Sequence, residues 1–134
     1  MRAGKKLKQE NPVPAYGKHL IIDAYDIKAS RLKNYKSVKG LLSFLPGYFG
    51  MKPLGRPVLK KVKSPDYPEW GLSGFVMLYE SHISVHTWPE TGYVSMDVYS
   101  CKEFNHERVI TYLKKYWHCG KISLKIVKRK NFLG

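Results

Sequence analysis

Two runs of strict alternation, one after the other near the middle of the chain, limit what it can fold into. From Ser81, the residues His82, Ser84, His86 and Trp88 fall on one side of an extended backbone, and Ile83, Val85 and Thr87 on the other. From Tyr93 the pattern repeats: Val94, Met96 and Val98 oppose Tyr93, Ser95, Asp97, Tyr99 and Cys101. A period of two is the signature of a β-strand, whose successive side chains point to opposite faces. Two neighbouring strands of this kind build a sheet with one apolar face and one face of histidine, tyrosine, tryptophan and cysteine. A merely solvated face would carry lysine, glutamate and threonine instead. Covering by a second copy of the chain accounts for this composition better, and would bury a site at the seam.

The remaining elements follow from pattern and punctuation. His19 to Tyr25 reads as a first strand, rich in branched residues. Ser30 is placed to cap a helix running to about Leu45, with Leu32, Tyr35, Val38, Leu42 and Leu45 as its apolar stripe. Gly40 weakens that helix and Pro46-Gly47 stops it. Residues 55–63 form a strand that Pro57 assigns to an edge, and 63–71 a loop with two prolines. Leu72 to Tyr79 is a further strand. Asn105 caps a second helix, with Glu107 in its first turn and Val109, Ile110, Leu113 and Trp117 on its buried side. Cys119-Gly120 ends it, and Lys121 to Lys130 alternates as a last strand, with Ile122, Leu124 and Ile126 on one side. The order predicts an α+β two-layer sandwich: a largely antiparallel sheet with two helices on one face. Residues 1–16, interrupted by Pro12 and Pro14, read as a flexible basic arm, and residues 17–134 as a single domain.

A net charge of +14 over 134 residues is the strongest compositional signal. Lysines and arginines gather at both ends and around Lys60, Lys61 and Lys63, as on a phosphate-binding face. No helix-turn-helix, zinc-finger or RNP-type signature accompanies them, so nucleic-acid binding is set aside as a primary role and kept as a remote alternative. No apolar run reaches the length of a membrane span, and the basic start Met1 to Lys8 is not followed by an apolar stretch, so the expected compartment is the cytoplasm. Cys101 and Cys119 are then expected as free thiols, and the histidines lack metal-ligand spacing, so no metal is expected.

The stretch from Glu80 to Glu90 concentrates chemistry: a carboxylate, Ser81, His82 and His86, then a second carboxylate, with the thiol of Cys101 at the end of the next strand. A serine and a histidine could suggest a hydrolase, but there is no GxSxG elbow and no third residue to orient the base. Spacing alone leaves the reaction open.

The block Gly71-Leu72-Ser73-Gly74, then Glu80 to Glu90, Gly92-Tyr93 and Asp97-Val98-Tyr99-Ser100-Cys101 closely resembles the prokaryotic S-adenosylmethionine decarboxylases. Gly17-Lys18-His19-Leu20 is a weaker match in the first strand. The resemblance implies a self-processing enzyme with a pyruvoyl cofactor made from its own chain. Ser81 would attack the carbonyl of Glu80, and elimination from the resulting ester would cut the chain between Glu80 and Ser81. The new head of residues 81–134 would be a pyruvoyl group, which forms a Schiff base with the substrate amine and accepts electrons as carbon dioxide leaves. By the same resemblance His86, five residues after the serine, handles the processing proton, and Cys101, twenty after it, reprotonates the product. The working form would be a homodimer of cleaved protomers with sites at the interface.

The substrate implied is S-adenosylmethionine, decarboxylated for polyamine (spermidine) biosynthesis. Tyr67 would stack on the adenine, Glu90 would hold the ribose hydroxyls and Ser73 would line the pocket. One departure stands where the family commonly has a proline-aromatic-glycine turn: Pro68-Glu69-Trp70-Gly71 adds the carboxylate of Glu69 beside the pocket, next to the aromatic Trp70. Glu69 could pair with a guanidinium or ammonium. A pyruvoyl-dependent arginine or ornithine decarboxylase of the same family is therefore the alternative.

Overall fold

A computed structural model describes residues 17–66 and 68–129. Six strands form one sheet: β1 (Lys18–Tyr25), β2 (Val58–Val62), β3 (Gly71–Leu78), β4 (Ser81–Trp88), β5 (Tyr93–Ser100) and β6 (Lys121–Lys128). Their order is β2-β3-β4-β5-β1-β6, and every neighbouring pair is antiparallel. Among the described residues, three α-helices, α1 (Ala29–Leu32), α2 (Tyr35–Tyr48) and α3 (His106–Trp117), and a single 3-10 turn at Pro89–Thr91 complete the fold.

The predicted alternation holds. Ile83, Val85, Val94, Met96 and Val98 are buried with Leu20, Ile22 and Ala24 of β1, against Leu32, Val38, Leu42, Leu45, Val109, Leu113 and Trp117 of the helices. Each such side chain contributes about 1.5–3 kcal/mol by leaving water. Thr87, on the same inward face, is the polar exception. Its hydroxyl donates to the Leu32 carbonyl (2.8 Å) and accepts from the Leu72 amide (2.9 Å), tying β4 to α1 and β3. Gly71 permits this junction, because a Cβ there would lie 2.2 Å from the Thr87 carbonyl oxygen.

Three boundaries differ from those the sequence predicts. The first helix is two: Ser30 lies inside α1, and the cap is Asn34, whose side chain accepts from the Ser37 amide at 3.0 Å. The turn at Lys33 and Asn34 lets Leu32 and Val38 both reach the core. Second, α2 runs through Pro46 and Gly47 to Tyr48. A proline in a last turn removes only one ladder bond, and here Leu45, Pro46 and Met51 are buried while the Pro46 carbonyl accepts from Met51 N at 2.8 Å. Third, α3 ends at Trp117, with His118 left-handed (φ 49°), rather than at Cys119-Gly120. Asn105 is the cap of α3 as expected, accepting from Glu107 N and Arg108 N, and β2 is an edge strand as Pro57 implied. The expected arm at residues 1–16 lies outside the described residues.

Candidate active site

Tyr79 and Glu80 form the two-residue connection between β3 and β4, whose Leu78 and Ser81 pair. Ser81 is thus the first residue of β4, on the parity of inward-facing Ile83. Its Oγ is buried and, among the described residues, has no hydrogen-bond partner. On the other side Ser81 pairs with Ser100 of β5, so Cys101 stands one step further, level with Glu80. The Cys101 sulfur lies 3.6 Å from the Tyr99 hydroxyl. That contact, then burial, pushes the Tyr99 phenol up from its ordinary value, against the opposing pull of Arg129, whose guanidinium lies 5.1 Å from the ring centroid. The phenol is therefore held protonated beside the sulfur. Cys101 and Cys119 are both unpaired thiols.

The outward face of the sheet carries two polar and aromatic groups of contacts. His86 Nδ1 meets Ser73 Oγ at 2.9 Å across the β3–β4 ladder, in which the two residues are directly paired. Trp88 stacks on Tyr93 with centroids 5.0 Å apart. The Tyr93 hydroxyl donates a short hydrogen bond to Asp23. Burial and then that bond push its pKa up to about 12. Asp97 accepts from His19 Nε2 (2.8 Å) and Ser84 Oγ (3.3 Å). Beyond the far end of β4, a cleft of about 150 Å³ is lined by Ser64, Glu69, Gly71, Ser73, Trp88 and Glu90, among others.

Three of the predicted substrate residues, Ser73, Glu69 and Glu90, therefore meet in one cleft. Trp70 stands beside it, partly packed against the core, with the ammonium groups of Lys33 and Lys61 at 5.2 and 4.9 Å from its ring centroid. Tyr67 lies outside the described residues. Glu80, Ser81 and Cys101 gather at the opposite end of β4. At about 3.3 Å per strand residue, Ser81 is roughly 16 Å from His86 and roughly 23 Å from Trp88. The stretch from Glu80 to Glu90 thus places its functional side chains in two separate groups, one at each end of β4. The rise per residue of an extended strand is the sequence signal that separates them. Lys33, beside Glu69 and Trp70, belongs to no motif that the sequence displays, and His19, Asp97 and Tyr99 lie inside the matching blocks without a role that the resemblance assigns. Alternation aims Asp97 and Tyr99 outward, yet nothing local reveals that β1 lies beside β5.

Residues 18–130 match the family profile described as S-adenosylmethionine decarboxylase. The chain belongs to that family. It is 30% identical over 114 residues to an S-adenosylmethionine decarboxylase proenzyme of Clostridium botulinum, covering 84% of this chain and 93% of the relative. It is 33% identical over 115 residues to a proenzyme of the same name from Persephonella marina, covering 84% and 81%. The crystal structure of the adenosylmethionine decarboxylase from Aquifex aeolicus superposes with a TM-score of 0.73 at 25% identity, over 88% of this chain and 93% of that one. The six-stranded antiparallel sheet with its helices is accordingly the fold of an S-adenosylmethionine decarboxylase family member. Among the described residues no helix is long and apolar enough to cross a membrane, and no three potential metal ligands cluster.

Proposed function

We propose that this chain is a self-processing decarboxylase of S-adenosylmethionine, a carboxy-lyase of polyamine biosynthesis working in the cytoplasm. The observation that carries this reading is Ser81: a buried hydroxyl with no competing partner among the described residues, at the turn that presents the Glu80 carbonyl. Ser81 Oγ attacks that carbonyl, and the amide nitrogen leaves to give an ester. Loss of the α-proton of residue 81 expels the Glu80 carboxylate and leaves a dehydroalanine. Its enamine tautomerises, takes up water and releases ammonia, giving the pyruvoyl group. When present, that group supplies the electron sink for decarboxylation.

The chain's own residues supply the rest. Cys101 returns a proton to the product carbon; its level with the Glu80–Ser81 bond and its 3.6 Å contact with the Tyr99 hydroxyl support that role. A positioned acid of this kind contributes typically ~10²–10⁴-fold. His86 is placed differently. It is roughly 16 Å along β4 from the Ser81 of its own chain, and it faces outward with Ser73. It serves processing from a second copy laid against this face, whose cleft with Glu90 and Ser73 then receives the nucleoside. The exposed apolar side chains Phe75, Met77, Val58 and Val62, on the same face and edge, fit such a seam. The homodimer thereby makes whole sites from half-sites.

A denaturing gel and mass spectrometry of the purified protein test this: residues 1–80 and 81–134 should separate, the second carrying a ketone reactive toward hydrazine. Carbon dioxide release from carboxyl-labelled S-adenosylmethionine, arginine and ornithine then assigns the substrate. The names of the relatives favour the first over the amino acids. A single intact band with no ketone would remove the electron acceptor, and with it the enzyme.

A further inference from the structure

The cleft carries two carboxylates, and they are not equivalent. Among the described residues Glu90 has no basic partner within ion-pair distance, whereas Glu69 Oε1 lies 3.4 Å from Lys33 Nζ. That Glu69 oxygen is buried and accepts no hydrogen bond of good geometry from any described group, so the Lys33 ammonium is what balances it. Lys33 is held in place from two sides. It is the residue that ends α1, its amide bonded to the Ala29 carbonyl, and its ammonium also lies over the Trp70 ring.

We infer that Lys33 is a specificity-determining residue: by pairing with Glu69 it stops that carboxylate from recruiting a guanidinium or alkylammonium ligand into the cleft. This rests on the proposed reading of the cleft as the substrate site. The chemical basis is the difference between the cations. A sulfonium has no N–H to donate and gains only charge attraction from a free carboxylate, whereas a side-chain guanidinium or ammonium adds charge-assisted hydrogen bonds to one. With Glu69 balanced, the cleft offers only Glu90 as an open carboxylate among the described residues, which suits a neutral diol. With Lys33 removed, the Glu69 carboxylate, whose side chain is 40% exposed, loses its nearest cation and is free to pair with an N–H donor on a ligand. The extra acid at Glu69 therefore does not by itself turn the site toward arginine or ornithine, because the chain supplies its own cation to occupy it.

Titration calorimetry on matured wild-type protein and on Lys33→Met, Lys33→Arg, Glu69→Gln and the Lys33→Met/Glu69→Gln double variant tests this. Arginine and ornithine are the probes with cationic side chains, and norleucine, with the same α-groups and an uncharged side chain, is the control. The expected result is that Lys33→Met binds arginine and ornithine about threefold more tightly than wild type, a gain of about 0.6 kcal/mol, as for a solvent-screened pair, with norleucine unchanged. Lys33→Arg should resemble wild type, and the double variant should lose the gain. No gain in Lys33→Met, or a gain that persists with Glu69→Gln, overturns the inference. If Lys33→Met fails to fold, Lys33→Gln takes its place under the same criteria. Because the comparison reads affinity for arginine and ornithine rather than carbon dioxide release from S-adenosylmethionine, the role of Lys33 is decided separately from the reaction: a wild-type protein that matures but releases no carbon dioxide from S-adenosylmethionine would sink the proposed function alone.

Discussion

Replacing Thr87 by valine isolates one hydroxyl that joins three elements beneath the outward face of the sheet. Thr87 is 5% exposed, and its Oγ1 is the donor to Leu32 O and the acceptor for Leu72 N. Valine fills nearly the same volume, so no cavity opens, but a carbonyl and an amide lose their partners where water has little access. Each buried group left unpaired costs about 1–3 kcal/mol, so the substitution should destabilise by about 2–4 kcal/mol after local relaxation. Thr87→Ser keeps both bonds and removes one methyl, for about 1 kcal/mol. The comparison is best made in Ser81→Ala protein, which stays one chain and sacrifices no hydrogen bond, since Ser81 Oγ makes none among the described residues. With a urea m-value of about 2 kcal/mol/M, the valine variant should unfold at a denaturant midpoint about 1–2 M lower, m being unchanged. A valine variant within about 0.5 kcal/mol of its parent, the ordinary range for a neutral substitution, would refute the view that this hydroxyl holds β3, β4 and α1 together.

Three further outcomes are expected. Cys101→Ala should mature normally, as judged by the gel, while its decarboxylation rate falls ~10²–10⁴-fold; equal loss of cleavage would move Cys101 into processing. Co-expressed His86→Ala and Ser81→Ala chains should form mixed dimers in which the His86→Ala chain is cut, although each variant alone stays intact; no cut chain would remove the second-copy assignment of His86. For Tyr93, whose folded pKa is raised from 10.0 to about 12, the sign is that of an acid kept protonated by folding. Its contribution to stability is complete below about pH 10 and is lost as pH rises from there through about 12. Phenolate absorbance should show Tyr93 among the late-titrating tyrosines, and Asp23→Asn should bring that component earlier, since the carboxylate charge that opposes ionisation is gone.

Much of this protein is local in origin. Alternation over 81–88 and 93–100 assigns the inward and outward sets correctly, because in a strand the facing of a side chain depends on nothing beyond its parity. The Asn105 cap and the edge position of β2 are equally readable, since a cap bonds its own first turn and a proline withholds its own amide. The block from Gly71 to Cys101 carries the family, and the match to the family profile over residues 18–130 agrees with it. What the tertiary structure decided is whatever depends on packing between distant segments. Pro46 stays inside α2 because burial outweighs one missing hydrogen bond, and Ser30 yields to Asn34 because the chain must turn for Leu32 and Val38 to meet one core. Lys33 at the end of α1 reaches Glu69 in the loop before β3, and His19 of β1 reaches Asp97 of β5, contacts that no period or motif encodes. Residue types and their facing are properties of the local chain, whereas which groups neutralise, protonate or complete one another is set by where the sheet and the helices bring them.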